Sequence, residues 1–384
     1  MPTKNLTRFI ATSLCLFFID CSSTRTFMQE NEVPNGHFQL YSYPEKLPSP
    51  SIDEEFQQRI VFASINDLNG QLNPRVEGGI NVGGQVLLKS YLNILKEQYP
   101  KELITVDAGN FTNTGIDPSE VVKFYNDINL DVVGLGFNEF NLNHRKLKNP
   151  YILTKNLRRA KFKALSANLY DLQLSKRLKW KYIKNTHILI VNDIKIGFTS
   201  VISQKTAKGF TDKMNGFYAK DIAQTIVSEA TWLRKKGADI IVVLANANGT
   251  CNNNTNLPKG KFNFDPSSDD LCDKSSEIFK SYKLIPKNLV NIIFLSGSGS
   301  KIVNRVHDIP TIQSMGGSEY LSISEFILDK KTKRVEEVLL HQPVKLCEKF
   351  LTKSQDCYFE NEDITKLSPA VFLNNNVIHT QESH

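Results

Sequence analysis

After its first twenty positions the sequence has no run of about 20 apolar residues, so no later segment reads as a helix able to cross roughly 30 Å of hydrocarbon. It has no close Cys-x-x-Cys pair either, which leaves a four-cysteine zinc site without its usual frame. Residues 22 to about 57 lack any hydrophobic repeat at period two or 3.6. Pro34, Pro44, Pro48 and Pro50 stand there among Ser, Glu, Gln and Asn, a composition that suits a tether.

Against these absences, 384 residues with 40% hydrophobic and 23% charged content are enough for one large core or two smaller ones. Lys4 and Arg8 precede Phe9 to Ile19, an apolar run broken only by small or hydroxyl side chains and of the size of a signal peptide. Cys21 follows in Phe18-Ile19-Asp20-Cys21-Ser22-Ser23, where lipid on the sulfur would convert an exported chain into an anchored one. Phe18 and Asp20 depart from the usual lipobox, so plain secretion is the alternative. The organisation expected is a signal peptide over 1–20, a tether over 21–57 and one domain over 58–384.

Of the six cysteines, Cys15 lies in the leader and Cys21 is the lipid candidate, so Cys251, Cys272, Cys347 and Cys357 remain as an even set suited to two disulfides in an exported protein. Proximity favours Cys251 with Cys272 and Cys347 with Cys357. Loss of residues 1–20 removes Lys4, Arg8 and Asp20 and takes the formal charge from +7 to +6. Lys155 to Lys163 and Lys176 to Lys184 concentrate that charge around Phe162, Trp180 and Tyr182. The plain account is a solvated face; an anionic surface is the sharper one, and nucleic acid is not expected as a partner.

Arg59 to Ile65 is a continuous apolar and β-branched run of strand length that ends in Asn66-Asp67-Leu68-Asn69-Gly70. Leu103 to Val106 repeats the pattern and exits through Asp107-Ala108-Gly109-Asn110, after which Asp117-Pro118-Ser119-Glu120 opens a helix. Asp131 to Leu135 exits through Gly136-Phe137-Asn138-Glu139-Phe140-Asn141. Ile188 to Val191 and Ile194 to Phe198 flank Asn192-Asp193 as a hairpin, and Asp221 caps a helix reaching Lys236. Strand Ile240 to Leu244 exits through Ala245-Asn246-Ala247-Asn248-Gly249, and strand Asn291 to Leu295 through Ser296-Gly297-Ser298-Gly299-Ser300. Polar loops at the carboxyl ends of strands are where α/β sites form.

From about Ile60 onward, these five loops in this order resemble the signature of the 5'-nucleotidase and sugar-nucleotide hydrolase branch of the calcineurin-like metallophosphoesterases. The family's Asn-Asp-x-His-Gly stands as Asn66 to Gly70, its Asp-x-Gly-Asp as Asp107 to Asn110, and its Gly-Asn-His-Glu-Phe-Asp as Gly136 to Asn141. Its next single His aligns with Asn246 and its Gly-His-x-His with Gly297 to Ser300. The resemblance implies an α/β fold, a four-layer α-β-β-α sandwich with two mixed sheets face to face. The cysteine placement resembles that of bacterial lipoprotein members, which implies a chain anchored at the periplasmic or outer face of a cell envelope.

In the family these loops hold two divalent metal ions. The carry-over places the ligand positions at Asp67, Asn69, Asn110, Phe137, Asn246, Ser298 and Ser300, the catalytic His position at Asn138 and its orienting Asp at Asn141. Only Asp67 retains a metal-binding side chain. Two doubly charged ions 3.5–4 Å apart repel by roughly 17–19 kcal/mol at an effective dielectric of about 20, and a bridging carboxylate normally offsets this. Asn110 has no charge to do so, the two serines are poor ligands, and a neutral Asn138 leaves developing phosphoryl charge unopposed. No cofactor is therefore expected. The larger family members add a C-terminal domain whose aromatic pair clamps the base; this chain stops shortly after Leu367 to Phe372, so the clamp is expected to be missing. The function implied is a catalytically inactive lipoprotein that binds or scaffolds an unidentified protein or a small anionic or sugar ligand. The alternative is a metal-dependent phosphoesterase acting on nucleotides or other phosphate esters, which would have to recruit His144, Asp107 or Glu139.

Overall fold

The computed structural model describes residues 40–41, 51–113, 116–140, 149–209, 216–251, 272–348, 350–351, 357 and 377–381. The leader, Cys21, Asn141, His144 and Leu367 to Phe372 lie outside them.

The Gln57–Ile65 strand is apolar on both sides because both sides are covered. Ile60 and Phe62 point towards a second sheet, while Val61, Ala63 and Ile65 pack beneath helices. Its neighbours are Leu103–Asp107, parallel, and Tyr320–Asp329, antiparallel. Across this first sheet run, in order, Val377–Gln381, Val335–His341, Tyr320–Asp329, Gln57–Ile65, Leu103–Asp107, Val132–Gly134, Lys163–Leu165 and Ile183–Lys184, with Val344–Lys345 paired to the start of Tyr320–Asp329. The second sheet runs Thr186–Val191, Ile194–Ile202, Ile240–Asn246, Ile292–Ser296, Ile309–Gln313, Ile302–Val306. Both sheets mix parallel and antiparallel pairs.

Between them lies an apolar core in which Phe62 meets Phe198, Phe294 and Phe326 at ring separations of 6.4, 5.7 and 5.4 Å. Helices Gly84–Gln98 and Pro118–Asp127 cover the outer face of the first sheet through Leu88, Tyr91, Val121 and Tyr125. Helices Ile222–Lys235 and Glu277–Tyr282 cover the second through Ile226, Leu233 and Phe279. This is the four-layer sandwich that the resemblance implies.

Local chemistry sets the element ends. Asp117 accepts from Ser119 N–H at 2.9 Å with Pro118 in the first turn, and Asp221 accepts from Gln224 N–H at 2.8 Å. Asn192 and Asp193 take φ of 47° and 64°, the left-handed pair that a two-residue hairpin turn requires. Disulfides join Cys251 to Cys272 and Cys347 to Cys357. Leu40–Tyr41, within the stretch read as tether, pairs with Phe350–Leu351. The parallel strands of both sheets bring the polar loops together at one end of the sandwich.

Candidate functional site

Asp67, Asn69 and Asn110 have φ of 50°, 51° and 59°, a left-handed conformation that short Asx side chains tolerate better than other residues. The conformation lets two loops zip together: Asp67 N–H donates to Gly109 O at 3.0 Å, Asn69 N–H to Asn110 O at 2.8 Å and Gly70 N–H to Phe111 O at 2.8 Å. Gly136 closes against them so tightly that a Cβ there would sit 2.4 Å from Asn110 Oδ1 and 2.5 Å from Asn110 N.

Asp67 is the hub. Its Oδ1 accepts from Asn110 Nδ2 at 2.9 Å, and its Oδ2 accepts from Asn66 Nδ2 at 3.0 Å and Gly297 N–H at 2.7 Å. Burial pushes its carboxyl pKa up, against the pull of those donors. Asn69 Oδ1 accepts from Asn138 Nδ2 at 2.7 Å, and Asn110 Oδ1 from Asn138 N–H at 3.0 Å. Asn246 Oδ1 accepts from Phe137 N–H at 3.0 Å, while its Nδ2 donates to Ser296 Oγ at 2.8 Å. Of the carried-over positions, Asp67, Asn110, Asn138 and Asn69 are thus joined in one hydrogen-bonded network, in which Asp67 is the carboxylate, and Asn246 meets it through the Phe137 backbone.

Three positions stand apart from it. The Phe137 ring is buried in the apolar layer under the helices and only its backbone reaches Asn246. Ser298 and Ser300 pair with each other at 2.7 Å. Gln313 Nε2 donates to Ser298 Oγ at 2.5 Å, and Ser300 Oγ donates to Gly249 O at 3.1 Å.

The carboxylates available for recruitment are engaged. Glu139, fully buried, accepts from Asn110, Thr112 and Gly136 N–H at 3.1, 3.1 and 2.6 Å, and burial drives its carboxyl up to about 7. Asp107 accepts from Gly109 N–H at 2.7 Å and from the Tyr125 hydroxyl, and burial raises it strongly as well. Among the described residues no three His, Cys, Asp or Glu side chains gather where a metal could sit. The donor set does not fit a pair of divalent ions, because Asp67 is the one carboxylate among the neutral amides of Asn69, Asn110 and Asn138, and among the described residues no charged group stands to bridge two cations.

The network floors a cleft of about 590 Å³ whose wall includes residues the loop pattern does not reveal. Arg75 holds Glu319 through Nε and a terminal nitrogen at 3.0 and 2.9 Å and meets Glu77 at 2.6 Å; Lys345 meets Glu77 at 2.7 Å. Arg75-Val-Glu with Gly78-Gly79 is legible as a hairpin strand and turn, but nothing local marks partners more than 240 residues away. The lining cations Arg75 and Lys345 are thus matched by Glu77, Glu319 and Asp67, so the cleft carries no net positive field.

No family model and no curated protein matches the sequence. Solved structures do match the fold. The NAD nucleotidase of Haemophilus influenzae is 16% identical with a TM-score of 0.53, over 76% of this chain and 51% of that one. A 5'-nucleotidase precursor from Thermus thermophilus is 17% identical with a TM-score of 0.54, over 76% and 55%. A calcineurin-like phosphoesterase of Bacillus subtilis is 14% identical with a TM-score of 0.53, over 77% and 90%. The chain spans about half the length of the two nucleotidases (51% and 55%) and shares their sandwich.

Proposed function

We propose that this chain is a catalytically silent binding protein built on a phosphoesterase fold, exported and held at a cell envelope by lipid on Cys21. The observation that carries the reading is the Asp67 carboxylate, whose oxygens are occupied by the N–H groups of Asn66, Asn110 and Gly297. A cation at that carboxylate would have to compete with these donors, and the neighbouring side chains that would complete its shell are neutral amides and hydroxyls. The cleft remains, lined by Asn69, Asn110, Asn138 and Gln71 with its charges paired at the rim. A floor of neutral amides under a wall of paired charges favours a polyhydroxyl ligand such as a sugar over a phosphate ester.

Elemental analysis after dialysis, run beside a phosphate-release assay with added manganese, zinc, cobalt and calcium, tests the silence. No stoichiometric metal and no release above background are expected. About two ions per chain with metal-dependent turnover of a nucleotide would overturn the proposal in favour of a phosphoesterase. Mass spectrometry of the mature protein tests the anchor: an N-terminus at Cys21 with acyl mass is expected, and an unmodified N-terminus would show secretion instead.

A further inference from the structure

We infer that the hairpin over residues 169–178, with the basic stretch that follows it, is a docking surface for an anionic lipid bilayer. Strand Leu169–Asp171 pairs antiparallel with Phe217–Ala219, and Tyr170 bridges to Arg177 on its other side. The tip between them is tied by its own residues. The Asp171 carboxylate accepts from Gln173 and Leu174 N–H at 2.9 and 2.7 Å, and Ser175 turns back at φ 50° to donate its N–H to Asp171 O. This fixed tip presents Leu172 and Leu174 to water, 60% and 67% exposed. Leucines held out by a hydrogen-bonded turn have no role in the core, and each gains by entering an acyl boundary.

The surrounding charge matches such a target. Lys176, Lys179, Lys181 and Lys184 are exposed, Lys220 lies 4.0 Å over the Tyr170 ring, and Arg177 is paired with Glu229 at 2.7 Å. Asp171 is the one acidic residue from 169 to 184, and its carboxylate is turned to the tip's own N–H groups. Trp180 packs against Phe140 and Phe217 at 5.7 and 5.3 Å, which pins the basic stretch to the domain while the lysines on either side of it stay in water. The same packing disfavours single-stranded nucleic acid. Trp180 and Tyr182 are half-buried, Tyr170 stacks on Tyr218, and leucine offers a base no aromatic face. The surface is independent of the cleft and of its reading.

The mature chain from residue 21 carrying Cys21→Ser, which has neither the apolar leader nor an acyl acceptor, is sedimented with vesicles of phosphatidylcholine alone or with about one third phosphatidylglycerol. Binding to the anionic vesicles is expected to be at least about tenfold tighter and to fall as salt is raised to about 0.5 M. Leu172→Ser with Leu174→Ser should weaken it by about tenfold or more. Lys179→Glu with Lys181→Glu, at exposed positions, should abolish the preference for anionic lipid. Equal partition into both vesicles, a leucine variant that binds like its parent, or capture of a polyuridine oligonucleotide without vesicle binding would overturn the inference.

Discussion

Replacing Glu139 with alanine should lower the unfolding free energy by about 3–5 kcal/mol, read as a fall in the urea midpoint at unchanged slope. One buried carboxylate terminates three backbone N–H groups from two different loops, at Asn110, Thr112 and Gly136. Truncation strands these donors where water cannot reach without opening the loops, and at pH 8, where Glu139 is above its pKa of about 7, a bond to this charged acceptor contributes about 1.5–3 kcal/mol. The three are coupled, so their losses do not simply add. The comparison is Lys89→Ala, which removes an exposed, solvent-screened pair with Asp127 at 2.6 Å and should leave the urea midpoint nearly unchanged. If the Glu139 variant loses no more than the Lys89 variant, the carboxylate is not what joins the loops.

The second expected result is that stability falls as pH rises from 5 to 8. Glu139 in the folded chain titrates near 7 against an ordinary 4.5, because burial penalises its charged form. Folded protein therefore holds a proton that the unfolded chain releases. Its contribution is fully present below about 4.5 and is lost as pH climbs through about 7, an effect of about 3 kcal/mol. Asp67, Asp107 and Asp131 are raised in the same sense by burial. His187 opposes them: burial, then Lys163 and Lys184, lower its pKa, so its contribution is present above 6.5 and lost on acidification. The difference between wild type and Glu139→Gln isolates the one group. Measured as thermal midpoints at pH 5, 6, 7 and 8, wild type should lose ground to the glutamine variant as pH rises, and parallel curves would show that Glu139 does not titrate in this window.

Much of this arrangement is legible along the chain. Apolar strand runs that end in Asn66 to Gly70, Asp107 to Asn110 and Gly136 to Asn138 mark where the loops leave the sheet, and Asp117 and Asp221 mark helix starts by their own capping chemistry. The Asn192-Asp193 turn and the two cysteine pairs are equally local. That positions 69, 110, 138 and 246 carry amides can be read off the loops one position at a time.

Where those amides send their hydrogen bonds depends on which loops meet. Asn66 owes its place beside Asp67 to Ser314, whose N–H and hydroxyl it accepts at 2.9 and 2.6 Å from 248 residues away. Gly297 N–H reaches the same carboxylate across 230 residues, and the Ser298 and Ser300 hydroxyls turn instead to Gln313 and Gly249. The Arg75, Glu77, Glu319 and Lys345 pairs, which cancel the field at the cleft, are likewise products of tertiary contact. Residue type and strand period act over a few positions, so the sequence alone determines the strands, the helix starts and the polar loops at the strand ends, while the sandwich follows from the resemblance those loops carry. Hydrogen bonds and charge pairs act over about 3 Å, so only the folded chain decides which donors meet at Asp67.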